Sequence, residues 1–247
     1  AAELIFRVVW ALRPRQALVT APTFSEYGAA LQSVGCAVKT WSLPEKRDFR
    51  LEEGVLDAIT PETDLVFLCE PNNPTGVTAG RPLLLQILRR CRETGTRLVL
   101  DECFGDLLDD PESHTLKGEL EAYPNLLILK AFTKLYAMAG IRLGYALCAD
   151  RALLERMYLA GQPWSVSVPA QAAGAAALRE TAYRERVRSL VRRERPCLAK
   201  RLGTLGLRVV PGEANYLLFQ SPVSLGEPLA RRGILLRSCD NYIGLDE

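Results

Sequence analysis

The chain has 247 residues, 48% of them hydrophobic, which is enough to bury a substantial core and excludes disorder, collagen-like sequence and coiled coil. Lysine and arginine number 31 against 29 acids, so a net charge of +2 gives no general attraction to nucleic acid or acidic lipid. The single histidine, His114, follows the polar stretch Asp109-Asp110-Pro111-Glu112-Ser113 and reads as a surface-loop residue, which excludes multi-histidine metal centres and argues against a histidine-based triad. The seven cysteines (Cys36, Cys69, Cys91, Cys103, Cys148, Cys197, Cys239) form no CxxC pair and lie mostly in apolar runs. They read as reduced core residues, not as a zinc site or disulfide frame. Neither a signal peptide nor an apolar run of about 18 residues is present, so the expectation is a soluble, cytoplasmic protein without a membrane partner.

In chain order, Ala1 to Phe6 starts inside a helical pattern. Gln16 to Ala21 reads as a strand ending at Pro22, Tyr27 to Val34 as a helix stopped by Gly35, and Ala37 to Trp41 as the next strand. Leu65 to Cys69 is a continuous apolar strand, Leu83 to Glu93 a helix, and Arg97 to Leu100 and Leu126 to Lys130 two further strands. Apolar strands alternating with helices imply a largely parallel α/β sheet covered on both faces, whose functional residues gather at the carboxyl ends of the strands. From about Ser165 the texture changes to one long helical region, Val168 to Leu205, with Arg184, Arg186, Arg188, Arg192, Arg193 and Arg195 interleaved by Glu180, Glu185 and Glu194. That pattern reads as a solvated helix face and not as a nucleic-acid patch. Leu207 to Val210, Asn215 to Phe219 and Ile234 to Arg237 then suggest strands of a smaller α+β domain, with the boundary near 165: residues 1–165 large, 166–247 small. The start in mid-helix, and the stop at Asn241 to Glu247 without a closing element, read as a fragment of a longer protein.

Three polar motifs follow predicted strands. Glu70-Pro71-Asn72-Asn73-Pro74-Thr75-Gly76 is either a plain turn or a rigid loop presenting an asparagine amide. Asp101-Glu102, at the end of a buried strand, can bind a metal, act as acid or base, hold a cationic heterocycle, or merely cap a helix beginning there. Lys134 is flanked by apolar residues, and a desolvated lysine is a nucleophile toward carbonyls. Thr133 beside it and Arg142 eight positions later offer hydroxyl and guanidinium donors to a phosphate. The order departs from a P-loop, so nucleotide hydrolysis is not indicated.

Together with Ala1-Ala2-Glu3, Ala21-Pro22-Thr23-Phe24 and Gly140-Ile141-Arg142-Leu143-Gly144, these segments resemble the fold-type I pyridoxal-phosphate enzymes of the aminotransferase class I/II superfamily. The resemblance implies the α/β transferase-like large domain of that superfamily, a pyridoxal 5′-phosphate cofactor and no metal. It also implies that a homodimer completes the site. Lys134 is then the catalytic residue that condenses with the cofactor aldehyde and moves the Cα proton. Asp101 pairs with the pyridine nitrogen, Asn73 donates to the phenolic oxygen and Phe24 stacks on the ring. Thr133, Arg142 and the amides of Ala1 and Ala2 bind the phosphate. Two departures stand out: Phe104 where many relatives have tyrosine, and Ala131 where many have serine or threonine.

Two branches compete. Threonine-phosphate decarboxylases of cobalamin biosynthesis look closer than histidinol-phosphate aminotransferases. They favour phenylalanine at position 104 and threonine before the lysine, and carry stretches similar to Gln162-Pro163-Trp164-Ser165-Val166-Ser167 and Arg232 to Tyr242. That branch implies a small phosphorylated amino acid as substrate, L-threonine O-3-phosphate. Asn215 is a candidate near the substrate carboxylate, although Ala214 to Leu217 can equally be an ordinary strand. A non-catalytic regulatory module of the same fold is the third reading, disfavoured because no helix-turn-helix segment is visible.

Overall fold

The computed structural model describes residues 1–245. Helix α1 (Ala2–Leu12) leads into β1 (Gln16–Ala21), α2 (Glu26–Gln32), β2 (Ala37–Ser42), the short α3 (Val55–Ala58) and β3 (Leu65–Cys69). Then come α4 (Arg81–Thr94), β4 (Arg97–Asp101), β5 (Leu126–Ala131), β6 (Gly144–Leu147) and α5 (Arg151–Leu159). The remainder is α6 (Val168–Ala177), α7 (Thr181–Thr204), β7 (Arg208–Val209), β8 (Phe219–Gln220) and α8 (Gly226–Ala230). Six strands form one sheet in the order β2-β1-β3-β4-β5-β6. The first five run parallel, while β6 pairs antiparallel with β5. The fold is therefore α/β with a mostly parallel central sheet, as the alternation of apolar runs and helices implies.

Strand period explains why β3 to β5 carry no polar face. Leu65, Phe67 and Cys69 point to one side, under Ile5, Val8 and Val9 of α1, Tyr27 and Leu31 of α2 and Leu153 and Met157 of α5. Val66 and Leu68 point to the other, under Leu84, Ile87, Leu88 and Cys91 of α4. Helix α4 is delimited by Pro82 in its first turn and by Gly95, whose φ of 74° closes the helix in the left-handed region.

The carboxyl-terminal third differs from expectation. The long helical region is two helices, because its halves dock on different surfaces. Gly174 of α6 meets Leu143, where a Cβ would collide with Leu143 Cδ2, whereas α7 reaches back to the loop after β4. There Arg188 Nε donates to the Asp106 carbonyl, Arg192 to that of Asp109, and Arg195 to the Glu213 carbonyl and the Asp109 carboxylate. The arginine face is thus partly a docking surface and not simply a solvated one. Residues 215–218 are not strand, and β8 begins only at Phe219. Ile234 to Arg237 forms no strand either. Ile234 and Leu235 are exposed, and the β7–β8 ladder ends without them. Of the seven free cysteines only Cys36, Cys69 and Cys91 are buried, so the core reading holds for three.

Candidate functional site

Because β1, β3, β4 and β5 are parallel neighbours, the loops leaving their carboxyl ends share one edge of the sheet. The loops after β1, β3 and β5 carry Phe24, Asn73 and Lys134 respectively, and Asp101 is the last residue of β4. Asp101 closes β4, with Cys69 and Leu129 as its strand partners, and is 5% exposed. Both of its oxygens are occupied: the Cys103 N–H donates to Oδ1 at 3.0 Å and the Tyr27 hydroxyl to Oδ2 at 2.7 Å. It caps no α-helix; it is a buried, oriented carboxylate.

The asparagine pair is divided in role. Asn72 is buried, its Oδ1 accepts from Thr23 Oγ1 at 2.8 Å, and its Nδ2 donates to the Pro22 carbonyl and Thr75 Oγ1, each at 3.0 Å. Its amide is spent on tying two loops together. Asn73 is half-buried, and its Oδ1 accepts from the Tyr242 hydroxyl at 3.3 Å, leaving the NH2 end available as a donor.

Lys134 is exposed, with Nζ 4.8 Å from the centroid of the Phe104 ring. This corrects the expectation of a desolvated lysine: the apolar neighbours in sequence turn away from its side chain, Leu135 into the core and Phe132 against Tyr136 and Tyr145. The Phe104 ring in turn meets Tyr216 edge-on at 4.9 Å, and Tyr216 donates to the Asn72 carbonyl at 2.9 Å. Arg142 is exposed, donates to the Ala139 carbonyl, and holds φ 61° in the left-handed region. Such backbone costs a non-glycine residue on the order of 1 kcal/mol and persists where surrounding structure enforces it. Thr133 is half-buried beside Lys134.

The start of α1 is brought to the same place by Gly144. A Cβ there would collide with the Ala1 nitrogen and lie 2.9 Å from the Lys130 carbonyl. Cys103, Asp101 and Arg142 all lie within electrostatic reach of Ala1. The N–H groups of Ala2 and Glu3, ahead of the first intrahelical bond from Leu4 to the Ala1 carbonyl, have no intrahelical acceptor and suit an anion. Phe24, Asp101, Ala1, Ala2 and Arg142 are thus assembled around one strand edge, with Lys134 and Asn73 joined to it through Phe104, Tyr216 and Asn72. Asn215 is exposed, next to Tyr216 in the chain.

Beneath these residues lies a charged layer that the sequence pattern does not reveal. Lys130 is 8% exposed, with Nζ 3.0 Å from both Glu102 Oε2 and Asp106 Oδ1. Burial works against its ammonium, yet the two carboxylates outweigh it and raise its pKa above the ordinary lysine value. Glu102 also accepts from Thr115 Oγ1 and the Leu116 N–H, so it is consumed structurally. Glu70 is buried, its carboxyl accepting the Ala79 N–H at 2.9 Å, and burial raises its pKa. His114 corrects another expectation. It is 18% exposed, Nδ1 lies 3.3 Å from Glu70 Oε1 and Nε2 4.0 Å from Glu213 Oε2, so this histidine bridges two carboxylates instead of sitting on a surface loop. Its pKa is raised, chiefly by the Glu70 hydrogen bond. Tyr27 and Tyr216 are participants that sequence reasoning missed, while Glu70 and Tyr242 fall inside quoted stretches without a role of their own; the position of Tyr27, three residues past Phe24, offered a signal.

A family model for aminotransferases of class I and II matches residues 1–238. The chain is 41% identical to the threonine-phosphate decarboxylase of Salmonella typhimurium, over 99% of this chain and 68% of that protein. It is 33% identical to the histidinol-phosphate aminotransferase of Nitratidesulfovibrio vulgaris, over 90% of this chain and 59% of that protein. Among solved structures, the histidinol-phosphate aminotransferase of Clostridium acetobutylicum superposes with a TM-score of 0.91 at 27% identity, covering 99% of this chain and 74% of its own. A mutant aspartate aminotransferase of Thermus thermophilus gives 0.83 at 26% identity, covering 94% and 68%.

Proposed function

The chain belongs to the aminotransferase class I and II family, and from that premise we propose that its parent enzyme decarboxylates L-threonine O-3-phosphate to (R)-1-amino-2-propanol O-2-phosphate, releasing carbon dioxide. The family's pyridoxal 5′-phosphate is the cofactor. The observation that carries the reaction is the 41% identity to a threonine-phosphate decarboxylase along 99% of the chain. Phe104 supports it locally: the ring beneath the Lys134 amine has no hydroxyl to offer the cofactor oxygen, in keeping with that branch.

The residues present fit the group. Asp101 offers a buried carboxylate with fixed orientation, Asn73 a free amide donor where Asn72 has none, and Phe24 a half-buried ring. Arg142, Thr133 and the backbone amides of Ala1 and Ala2 offer donors to a phosphate dianion. When bound, pyridoxal phosphate supplies a cationic conjugated ring that takes up the electron pair released at the substrate Cα. Lys134 would hold the cofactor through its primary amine and, once freed by the substrate's own amine, would move a proton at the substrate Cα; its exposed position gives it the reach for both tasks. Asp101 would keep a proton on the ring nitrogen, Asn73 would donate to the phenolic oxygen, and Phe24 would stack on the ring. The same proposal places Asn215 near the substrate carboxylate, divides the chain near residue 165, and has a cytoplasmic homodimer complete the site.

A histidinol-phosphate or related class I/II aminotransferase is the second reading, favoured by the superposition on a histidinol-phosphate aminotransferase. Incubating the full-length parent with pyridoxal phosphate and, in parallel, L-threonine O-3-phosphate or histidinol phosphate with 2-oxoglutarate separates the two. Carbon dioxide without 2-oxoglutarate-dependent transfer supports decarboxylation; transfer from histidinol phosphate without carbon dioxide overturns it.

A further inference from the structure

Building on the reading that Asp101 holds the cofactor's ring nitrogen, we propose that Tyr27 is a positioning residue that sets the Asp101 carboxylate and the Phe24 ring together. The Tyr27 side chain is wholly buried. Its ring is stacked on Phe67 of β3, centroids 4.9 Å apart and planes 10° from parallel, and it meets Phe24 edge-on at 5.7 Å and 83°. Its hydroxyl donates to Asp101 Oδ2 at 2.7 Å. One side chain of α2, outside every loop that carries the site, therefore touches both the carboxylate and the ring-stacking residue.

The geometry gives the bond a direction and a purpose. Burial, and next to it the Asp101 charge, push the Tyr27 phenol well above its ordinary pKa, so the proton stays on the tyrosine and the carboxylate stays the acceptor. With Cys103 N–H on Oδ1, the two donors fix the carboxylate plane. Bonds of this charge-assisted kind are about twice as strong as neutral ones. Phe67, lacking a polar atom, holds the phenol ring from behind; of the two titratable groups that face the hydroxyl, Asp101 and the Cys69 thiol, burial pushes the thiol up, so Asp101 is the charged acceptor.

The test uses the whole chain and pyridoxal phosphate, with affinity measured by equilibrium dialysis across a pH series. Tyr27→Phe keeps the ring packing and removes only the donor. Its cofactor dissociation constant is expected to rise roughly tenfold or more, the worth of a hydrogen bond to a charged group. The acid limb of binding is expected to move to higher pH, because a carboxylate with one donor fewer takes up a proton more readily. Asp101→Asn is measured beside it. Undiminished binding by Asp101→Asn overturns the reading of Asp101 and this proposal with it. Weakened binding by Asp101→Asn, together with unaltered affinity and pH profile in Tyr27→Phe, overturns the role of Tyr27 alone. Lost affinity with an unmoved acid limb makes Tyr27 a packing residue and also overturns it. Should Tyr27→Phe fold poorly, 3-fluorotyrosine at position 27 keeps the hydroxyl and strengthens it as a donor; the acid limb then moves to lower pH, and an unmoved limb overturns the proposal.

Discussion

At the ends of β3 and β4, Asn72 and Asp101 are buried and their polar atoms already have partners within the chain. On the loop after β5, Lys134 and Arg142 are exposed; the lysine amine rests over a phenylalanine ring and the guanidinium holds one local carbonyl. The difference separates two tasks. A carboxylate that must keep one orientation gains from being fixed by folding, since nothing then has to reorganise when a ligand arrives. Under the proposed function, an amine that has to hold the cofactor and then move a proton at the substrate gains from a long, unburied side chain.

The comparison is broken most severely at the exposed side. Lys134→Ala should abolish the borohydride-trappable covalent link to pyridoxal phosphate and lower turnover at least about 10³-fold, within the range of a lost acid–base group. Stability should change by no more than about 0.5 kcal/mol, as for other exposed positions. Retention of a trappable adduct, or a marked fall in unfolding temperature, would place the lysine on the structural side instead.

The adjacent asparagines sharpen the same contrast within one loop. Asn72→Ala removes the partners of Thr23 Oγ1 and the Pro22 carbonyl and one of the two partners of Thr75 Oγ1, which should destabilise the fold by about 2 kcal/mol or more. Asn73→Ala should leave the unfolding temperature nearly unchanged while weakening pyridoxal phosphate binding roughly tenfold. Chemical denaturation and cofactor titration of both variants decide it, and an exchange of the two phenotypes would reverse the assignment.

How much of the fold and site is legible depends on distance along the chain. Strand runs such as Leu65–Cys69 are visible because period and apolarity are local, and Asp101, Lys134 and Arg142 are visible because each sits in a short motif. The pairing of Asn73 with Tyr242 spans 169 positions, and that of Tyr27 with Asp101 spans 74. No local pattern encodes them. Strand β6 escapes sequence reading because Gly144 looks like a breaker, whereas its missing side chain is what lets the Ala1 backbone approach. Lys134 reads as desolvated because its neighbours in sequence are apolar; burial is decided by the direction in which each side chain leaves the backbone.

The charged layer under the site yields the smallest effect, and it is a pH effect. His114 faces Glu70 from the loop after β3, Glu213 from the segment before Tyr216, and Asp110 from its own loop. The Glu70 hydrogen bond raises the histidine above its ordinary value of 6.5, against the opposing influence of burial. The folded state therefore binds this proton more tightly than the unfolded chain does. The resulting stabilisation is complete below pH 6.5 and is lost as pH rises through the raised folded value. Glu70, raised by burial from its ordinary 4.5, works in the same direction but begins to lose its share at lower pH. His114→Gln should keep a hydrogen-bonding partner for Glu70 while removing the titration. Between about pH 6 and about pH 8.5 the unchanged chain should lose stability that the variant keeps, seen as a fall in its unfolding temperature relative to the variant's. Thermal unfolding followed by circular dichroism at the two pH values measures it. Equal pH slopes in the two proteins would mean that the bridge between Glu70 and Glu213 carries no charge of its own, and that the segment is held instead by Arg195, Thr78, the Glu213 N–H on the Gly76 carbonyl and the Tyr216 hydroxyl on the Asn72 carbonyl.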